Sequence, residues 1–358
     1  MLKIGLITFH RTTNFGSLLQ TYGLYKKIVD LGYYCEVIDY RCPAIEKAEY
    51  RNYKLDISNP RELIKTILFQ PKQNRKAKQF DLFTSRNMKL SAPYDPITIN
   101  EAAGKYDKFF VGSDIVWGRD ITCDDYNYFL EFVNDKRKKY AFSASVGGCI
   151  IREDESHLKS LLSDFSRIAV REKDAVEWVK MISNVSADWV CDPTMLLTAE
   201  EWRSIIPLHL IKDNYVLVYF DTPNQECLKT AIAYAKKMNL KVYFIKYGLP
   251  VKGVSVKQPT SLGEFLSLID NAKMVFTASY HGMLFSIYFH KEFMFYTRNH
   301  SSRVLSLAER LSLQDRCGDS FVGDEYEAIN YGEVERSLCE FRNQSISILQ
   351  EMLQGENS

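Results

Sequence analysis

Polar residues of types that can do chemistry follow several apolar runs in this chain, and one cluster ends in a histidine and a glycine. Residues 277–282 read Thr-Ala-Ser-Tyr-His-Gly, between an apolar run that ends at Phe276 and another that begins at Met283. A strand followed by a helix explains this pattern. The start of such a helix binds anions, because its N–H groups point toward the ligand. We therefore predict anion binding by three residues of this turn: Ser279, His281 and Gly282.

Five further polar clusters follow apolar runs in the same way: residues 10–16, 112–114, 143–148, 171–172 and 192–194. Small residues in these clusters let backbone N–H groups approach an anion, and a helix start adds about half a positive charge. Because ligands bind outside the carboxyl ends of parallel strands, we expect the clusters to line one site. The residues singled out are His10, Asn14, Gly16, Asp114, Ser143, Ser145 and Arg171.

Each candidate also has a purely structural explanation. Asp192 precedes a proline and can start a turn, and Asp114 can cap the segment after it. Arg171 can pair with a nearby carboxylate on a surface, and His281 and His10 can be hydrogen-bonded core histidines. The repeated position of the clusters, each at the end of an apolar run, favours function over these alternatives.

The elements that would position these residues alternate along the chain. Residues 3–9 form an apolar strand, residues 17–31 repeat apolar side chains at helical spacing, and residues 34–40 form a second strand. A strand, a helix and a strand within about 38 residues predict a parallel sheet. Further strands are predicted at residues 108–111, 140–143, 168–170, 189–191, 215–220, 241–246, 274–277 and 292–296.

The pattern restarts after residues 192–194, which predicts two domains. We place them at residues 1–197 and 198–332, followed by an amphipathic helix in residues 333–358 that can pack back on the N-terminal domain. The expected fold class is α/β, with two doubly wound, Rossmann-like parallel sheets facing a cleft, the arrangement called GT-B. One larger α/β domain with an appended subdomain is the alternative.

Length and composition narrow the function. The 358 residues suit two domains, and a net charge of +1 gives no reason to expect nucleic acid as a partner. Eight cysteines without a Cys-x-x-Cys pair, and no signal sequence or long apolar run, predict a cytoplasmic protein. Residues 61–90 are predicted helical with a break at Pro71. Their basic face is either a solvated surface or a contact with the inner, anionic face of a membrane.

Absent motifs exclude other chemistries. The sequence has no GxxxxGK[ST] loop, and no GxGxxG follows the first strand, which argues against a P-loop phosphotransferase and a nicotinamide enzyme. No HExxH or close His/Cys set predicts a zinc site, and no GxSxG predicts a serine hydrolase. We therefore assign no metal-binding residues and no cofactor.

Taken in order, the motifs resemble those of the polysaccharide pyruvyl transferase family. The matching stretches cover most of residues 1–315: residues 4–9, 14–22, 37–41, 106–107, 110–117, 128–130, 140–145, 170–172, 192–194 and 279–282. The resemblance implies a GT-B-like fold and transfer of a pyruvyl group from phosphoenolpyruvate to two hydroxyls of a sugar, which forms a cyclic ketal. The acceptors implied are sugars of cell-surface polysaccharides, such as exopolysaccharides, or of their lipid-linked precursors.

The resemblance also carries residue roles. Arg171 and His281 correspond to the family's donor-binding set. Two positions depart from the family pattern: Ser279 stands where relatives often have an arginine, and Gly147 or Gly148 where some have a histidine. Ser279 leaves open whether the donor differs or activity is lost.

The chemistry of ketal formation suggests further roles for these residues. Asp114 is assigned proton transfer, Arg171 the donor carboxylate or phosphate, and His281 phosphate departure. On the donor side we also place Ser279, Gly282, Ser143 and Ser145, and on the acceptor side His10, Asn14 and Gly16. A nucleotide-sugar glycosyltransferase and a catalytically silent glycan-binding relative are the alternatives. The acceptor sugar, the ketal stereochemistry, the metal dependence and the oligomeric state stay open.

Overall fold

The structure is a computed structural model in which the chain divides into two compact units. The first comprises Met1–Arg51, Phe80–Leu197 and Cys339–Ser358, and the second Asn52–Gln79 and Thr198–Leu338. The residues that the structure describes are 2–49, 60–148, 151–152, 155–207, 211, 213–220, 224–247, 250–297, 302–319 and 327–355.

A seven-stranded, wholly parallel sheet forms the centre of the first unit. Its spatial order is β3-β2-β1-β4-β5-β6-β7. The inner strands are apolar on both faces, as expected where both faces of a parallel sheet are covered. The strands are β1 (Lys3–Ile7), β2 (Tyr34–Tyr40), β3 (Leu90–Tyr94), β4 (Lys108–Val111), β5 (Lys139–Ala144), β6 (Arg167–Val170) and β7 (Asp188–Trp189).

In the part of the chain that the structure describes, six helices lie between these strands, with short 3₁₀ turns at Ile99–Ala102, Tyr126–Phe129 and Lys136–Lys138 and, after β7, at Pro193–Leu196. The third helix continues through Pro71, so the break predicted there is wrong. Its first part groups with the second unit and its last part with the first. The helices are α1 (Phe15–Asp30), α2 (Pro43–Glu49), α3 (Pro60–Asn87), α4 (Arg119–Thr122), α5 (Ser156–Ser163) and α6 (Lys173–Ser183).

The second unit contains a five-stranded parallel sheet in the order β10-β9-β8-β11-β12. Its strands are β8 (Tyr215–Tyr219), β9 (Lys241–Ile245), β10 (Ser255–Lys257), β11 (Met274–Thr277) and β12 (Glu292–Phe295). Its helices are α7 (Ala199–Arg203), α8 (Gln225–Lys237), α9 (Leu262–Asp270), α10 (Tyr280–Tyr288) and α11 (Ser302–Arg310), with a 3₁₀ turn at Gln314–Arg316. The prediction of two doubly wound parallel-sheet domains is confirmed.

The last helix, α12 (Tyr331–Gln354), begins in the second unit and ends in the first. Its end is fixed by Lys108 at the start of β4, whose ammonium donates to the carbonyls of Met352 and Leu353 at 2.7 and 2.9 Å. A cation at a helix C-terminus satisfies the last carbonyls and opposes the negative end of the helix dipole. Burial lowers the pKa of Lys108.

Among the helices of the described residues, none is long and apolar enough to cross a membrane. In each sheet the strand order reverses at one place, between β1 and β4 in the first and between β8 and β11 in the second. Open parallel sheets bind their ligands outside the carboxyl ends of the strands at such a point.

Candidate active site

At the reversal point of the first sheet, the side chain of Gln20 joins the ends of β1 and β4. Its amide nitrogen donates to Thr8 Oγ1 at 3.1 Å, and its carbonyl oxygen accepts the N–H of Ser113 at 3.2 Å. Thr8 Oγ1 in turn donates to the carbonyl of Ser113 at 2.9 Å. All three residues are buried. The turn that follows β4 is therefore held from α1 and from β1.

Asp114 lies in this turn, with its backbone in the left-handed region at φ 73°. Its Oδ1 accepts the N–H of Ile115 at 2.8 Å, and its carbonyl accepts the N–H of Ser145 at 3.0 Å. Oδ2 has no hydrogen bond to any of the described residues. The side chain is thus held through one of its two carboxylate oxygens.

Ser143 and Ser145 lie at the end of β5, beside the Asp114 turn. Ser143 has a positive φ of 57° at an irregularity in the pairing of β5 with β6. Its hydroxyl lies 3.3 Å from that of Ser113. The hydroxyl of Ser145 donates to the carboxylate of Glu172 and accepts the N–H of Gly147 at 3.2 Å. Ser143 therefore connects β5 to the turn after β4, whereas the side chain of Ser145 connects β5 to Glu172.

Arg171 follows β6 and lies in a buried charge cluster. Its Nη1 donates to Asp192 Oδ2 at 3.0 Å, and its Nε lies 3.5 Å from Glu172 Oε1. The exposed fractions of these side chains are 0% for Arg171 and Asp192 and 1% for Glu172. A buried arginine is stable only when carboxylates and hydrogen bonds compensate its desolvation. The surface pair considered from the sequence is thus replaced by a fully buried one.

The aspartate that holds Arg171 begins the 3₁₀ turn after β7. Asp192 Oδ1 accepts two hydrogen bonds from Thr194, from its N–H at 2.9 Å and from its hydroxyl at 2.7 Å. The carboxylate thus caps its own turn with one oxygen and binds Arg171 with the other. Turn formation and function are therefore not exclusive explanations of Asp192.

His10 lies at the end of β1, on the side of β2. Its Nε2 is 3.2 Å from Asp39 Oδ1 and its Nδ1 is 3.3 Å from the carbonyl of Thr8. His10 is buried, and its two ring nitrogens both face acceptors. Burial alone raises the pKa of Asp39, but the hydrogen bond and charge of His10, with Arg41, outweigh it and lower that pKa overall. These contacts support the core alternative for His10.

Asn14 and Gly16 lie at the start of α1. The side-chain oxygen of Asn14 accepts the N–H groups of Gly16 and Ser17 at 2.9 and 3.3 Å, which makes Asn14 the N-cap of the helix. Asn14 is exposed and Gly16 is buried. The loop before them is tied to α2, because Glu49 accepts hydrogen bonds from Thr12 and Thr13.

At the reversal point of the second sheet, β11 leads into α10 through the predicted turn. Thr277 Oγ1 donates to the carbonyl of Tyr219 at the end of β8, at 2.7 Å, and accepts the N–H of Ser279 at 3.0 Å. Ser279 is the N-cap of α10, but its side chain makes no capping hydrogen bond. Ser279 is 5% exposed and His281 9%. The serine hydroxyl and the first N–H groups of α10 thus lie at one buried helix start.

Gly282 is required for this geometry because α10 passes very close to β11. A Cβ at this position would overlap Thr277 Oγ1 and lie 3.0 Å from the ring of Tyr219. The ring of Tyr280 packs edge-on against the ring of His281, with centroids 5.4 Å apart. The guanidinium of Arg303 in α11 lies 5.7 Å from the centroid of the Tyr280 ring. The positive charge of Arg303 therefore lies near this helix start, although position 279 itself carries a serine and not an arginine.

Asp114, Ser143, Ser145 and Arg171 are brought together by the first unit in one network, and Ser279, His281 and Gly282 by the second unit. His10, Asn14 and Gly16 lie at the neighbouring end of β1, outside the hydrogen bonds of that network. Sequence reasoning gave Gln20, Asp39 and Asp192 no role, and it considered Glu172 only as a surface partner of Arg171. The adjacency of Glu172 to Arg171 was a usable signal, whereas nothing in the sequence linked Gln20 to Ser113. No group of three potential metal ligands lies among the described residues.

Solved structures with a similar fold cover nearly all of the chain. A UDP-GlcNAc 2-epimerase from Neisseria meningitidis, bound to UDP-GlcNAc, is 10% identical, with a TM-score of 0.51 and coverage of 99% of this chain and 100% of that one. The S. aureus MnaA–UDP co-structure is 9% identical, with a TM-score of 0.51 and coverage of 99% and 89%. The likeness shows the fold alone and confirms that it is GT-B-like.

Comparisons of sequence point to one family. No curated protein sequence matches the chain. The sequence model described as polysaccharide pyruvyl transferase matches residues 14–300, which include all the candidate residues except His10. That match covers well over half of the 358 residues. The chain belongs to the polysaccharide pyruvyl transferase family.

Proposed function

We propose that this protein transfers a pyruvyl group from phosphoenolpyruvate to two hydroxyls of one sugar, forming a cyclic ketal. The acceptor is a sugar of a cell-surface polysaccharide, such as an exopolysaccharide, or of its lipid-linked precursor. Family membership over residues 14–300 supports a pyruvyl transferase. The observation that carries the choice of an anionic, phosphate-bearing donor is the start of α10, where buried Ser279 and His281 accompany the first N–H groups of the helix.

The reaction needs few protein groups. A proton adds to the methylene carbon of phosphoenolpyruvate, which becomes a methyl group, and positive charge develops at C2. One sugar hydroxyl adds to C2 and loses its proton; the C2–O bond to phosphate breaks, and the second hydroxyl adds and loses its proton. Two protons are thus released, of which one replaces the proton given to the methylene carbon and the other leaves with phosphate or solvent. Each step is assisted by a positioned acid or base and by donors aimed at the departing phosphate.

Asp114 is the proton-transfer group in this proposal. One of its oxygens is fixed by the N–H of Ile115, and its backbone is fixed by Ser145. A carboxyl that is held through one oxygen can use the other to exchange a proton with the donor, which is the task of a general acid–base group. Ser143 and Ser145 hold this turn from β5 on the donor side.

His281, Ser279 and Gly282 receive the departing phosphate. The start of a helix carries partial positive charge, and Gly282 lets α10 begin directly beside β11. His281 follows the N-cap by two residues and can give the phosphate a proton. The guanidinium of Arg303, packed over Tyr280, adds positive charge to the same turn.

Arg171 holds the donor carboxylate in this proposal, and His10, Asn14 and Gly16 lie on the acceptor side. The role of Arg171 requires the donor to reach a guanidinium that is covered by Asp192 and Glu172. Arg171→Lys keeps the charge but loses the planar fork, so it separates charge from bidentate binding. We expect it to raise the KM for phosphoenolpyruvate.

A lipid-linked acceptor calls for contact with the inner face of a membrane. Lys72, Arg75 and Lys78 are exposed along α3 at a spacing of three residues, which places them on one side of the helix. Basic residues on one helix face attract anionic lipids. The triple change to glutamine should weaken salt-sensitive cosedimentation with vesicles of phosphatidylglycerol, and unchanged cosedimentation would argue against this surface.

The test of the proposed function combines binding with product analysis. We expect a saturable rise in thermal stability with phosphoenolpyruvate, and none with UDP, GDP or phosphate at the same concentration. Incubation with glycan precursors should then release phosphate and add a pyruvate ketal that mass spectrometry detects. Asp114→Asn should abolish turnover. Asp107→Asn, which alters an exposed aspartate before the same strand, should not.

The structural neighbours supply the competing outcome, because both are described with UDP or UDP-GlcNAc bound. Stabilisation by UDP but not by phosphoenolpyruvate would replace pyruvyl transfer with nucleotide-sugar chemistry. Binding of phosphoenolpyruvate without turnover on any glycan would instead favour the catalytically silent alternative, and it would point to Ser279 as the cause.

A further inference from the structure

Helix α12 reaches the carboxyl edge of the first sheet beside the turn that carries Asp192. The ring of Phe341 in α12 lies 5.0 Å from that of Trp189, the last residue of β7. The indole N–H of Trp189 donates to the carbonyl of Arg171 at 3.1 Å. Near the other end of the helix, Glu351 pairs with Arg167 at the start of β6 at 2.7 Å. The last part of α12 therefore runs along β6 and β7, from the carboxyl ends of these strands to their amino ends.

Ser345 is the buried polar side chain of α12 at this place, with 0% exposure. Its hydroxyl donates to the carbonyl of Phe341 at 2.8 Å and accepts the N–H of Cys191 at 2.9 Å. The backbone pairing of β7 with β6 ends one residue earlier, where the N–H of Val190 donates to the carbonyl of Val170 at 3.0 Å. Ser345 thus continues the support of this strand at the residue directly before Asp192.

A second residue of α12 holds the other side of the same turn. Arg342 Nε donates to the carbonyl of Met195, three residues after Asp192. The aspartate therefore lies between two backbone groups that are both bound by α12. Its carboxylate in turn binds Arg171 Nη1 at 3.0 Å.

We propose that Ser345 is a positioning residue for Arg171, acting through the N–H of Cys191 and the carboxylate of Asp192. The physical reason is that a buried N–H without a partner is unfavourable, so loss of the serine hydroxyl lets the turn move toward another partner. A displacement of Asp192 reorients the guanidinium, since Nη1 is bound to it. The inference rests on the proposed role of Arg171 in binding the donor.

The experiment compares three variants of the full-length protein. Ser345→Ala removes the hydroxyl, and Ser345→Thr keeps it. Ser183→Ala is the matched control, because buried Ser183 makes the same pair of bonds, donating to the carbonyl of Val179 and accepting the N–H of Val185. The control bonds lie at the end of α6 and involve neither Asp192 nor Arg171.

Two readouts separate positioning from stability. The first is the dissociation constant for phosphoenolpyruvate, with KM and kcat where turnover is found. The second is the ¹⁵N–¹H signal of Arg171 Nε, which is assigned by its absence from the spectrum of Arg171→Lys. We expect Ser345→Ala to weaken donor binding about tenfold, with a smaller effect on kcat, and to shift the Arg171 signal. Ser345→Thr should restore both, and Ser183→Ala should lower the Tm without changing either.

The outcomes distinguish this inference from the proposed function. An unmoved Arg171 signal and an unchanged donor affinity in Ser345→Ala would overturn the positioning role, even if the Tm falls. If the wild-type protein does not bind phosphoenolpyruvate, the proposed donor is wrong, and the Arg171 signal alone decides the inference. A shift that Ser345→Thr reverses then upholds the positioning role, and no shift overturns it.

Discussion

The side-chain carbonyl of Gln20 accepts the backbone N–H of Ser113 at 3.2 Å, across 93 residues of sequence. The amide nitrogen of the same side chain, with its two N–H donors, lies within 2.8 to 3.1 Å of three acceptors: Thr8 Oγ1, the carbonyl of Ser17 and Thr21 Oγ1. A buried amide with this many partners fixes its surroundings, because each bond constrains the same rigid group. The position of Asp114, one residue after Ser113, therefore depends on α1.

The first prediction follows from that dependence. Gln20→Met keeps the approximate volume of the side chain but removes every hydrogen bond of the amide. It leaves the buried N–H of Ser113 without its partner, so we expect a loss of about 2 to 3 kcal/mol in the free energy of unfolding. Phosphate release from phosphoenolpyruvate should fall as well, since the Asp114 turn is no longer held. Denaturant unfolding and the phosphate assay measure the two effects.

Gln350→Met is the control for Gln20→Met, because Gln350 is exposed on α12. A surface change of this kind stays within about 0.5 kcal/mol. Equal stability of Gln20→Met and wild-type protein would show that the Ser113 N–H finds another partner and that α1 does not control the turn.

The sequence predicted the strand ends well because polar clusters after apolar runs are local features. The sequence pattern did not predict β3 and β10, and the reason is again local. β3 carries a proline and is mostly exposed, and β10 has three residues, so neither gives an apolar run. Both are edge strands of their sheets. An edge strand has a neighbouring strand on one side only, so it tolerates a proline and exposed side chains.

The partners that are distant in sequence from the candidate residues could not be predicted. Asp192 reaches Arg171 from 21 residues away, and Ser345 reaches Cys191 from 154 residues away. Ser261 and Glu264 have the spacing of a capping box, and this pair shows that a local pattern can also mislead about partners. Ser261 does accept the N–H of Glu264, but the carboxylate of Glu264 binds the N–H of Thr260 instead of returning to Ser261.

The second prediction concerns the close packing of α10 on β11. Gly282→Ala adds a Cβ that overlaps Thr277 Oγ1, so the start of the helix must shift. We expect a loss of about 1 to 3 kcal/mol in the free energy of unfolding, as for other overpacked sites, and weaker binding of phosphoenolpyruvate. Gly104→Ala is the control, because a Cβ there meets no atom within 4 Å. Full donor affinity in Gly282→Ala would exclude this helix start as the phosphate site.

The third prediction concerns thiol reactivity. Cys123 and Cys339 are exposed, whereas Cys42 and Cys191 are buried. Burial raises the pKa of the Cys42 and Cys191 thiols to about 12, so few thiolates form at neutral pH. In native protein, iodoacetamide should modify Cys123 and Cys339 much faster than Cys42 and Cys191. Mass spectrometry of the digested protein measures each site separately.

Unfolding the protein in denaturant supplies the control for thiol labelling, because all four cysteines should then react at similar rates. Rapid labelling of native Cys191 would contradict the described packing of the Asp192 turn. It would show that this turn opens on the time scale of the reaction.

The fourth prediction concerns acid stability and the pair of Asp39 and His10. Burial raises the pKa of Asp39. The hydrogen bond and charge of His10, together with Arg41, lower the pKa by more than burial raises it, so the net shift is downward. A folded-state pKa below the unfolded value, about 3.9, means that the stabilisation is complete above the unfolded pKa. It is lost as the pH falls through the folded value. The difference in unfolding free energy between wild-type protein and Asp39→Asn should therefore shrink as the pH is lowered below about 4.

Denaturant midpoints between neutral and acid pH measure this difference. Asp81→Asn is the control, since the exposed side chain of Asp81 makes no hydrogen bond or ion pair with any residue that the structure describes. Its difference from wild-type protein should be small at neutral pH. A gap between Asp39→Asn and wild type that stays constant down to the lowest pH would mean that ionised Asp39 does not stabilise the fold. The contact with His10 would then contribute packing alone.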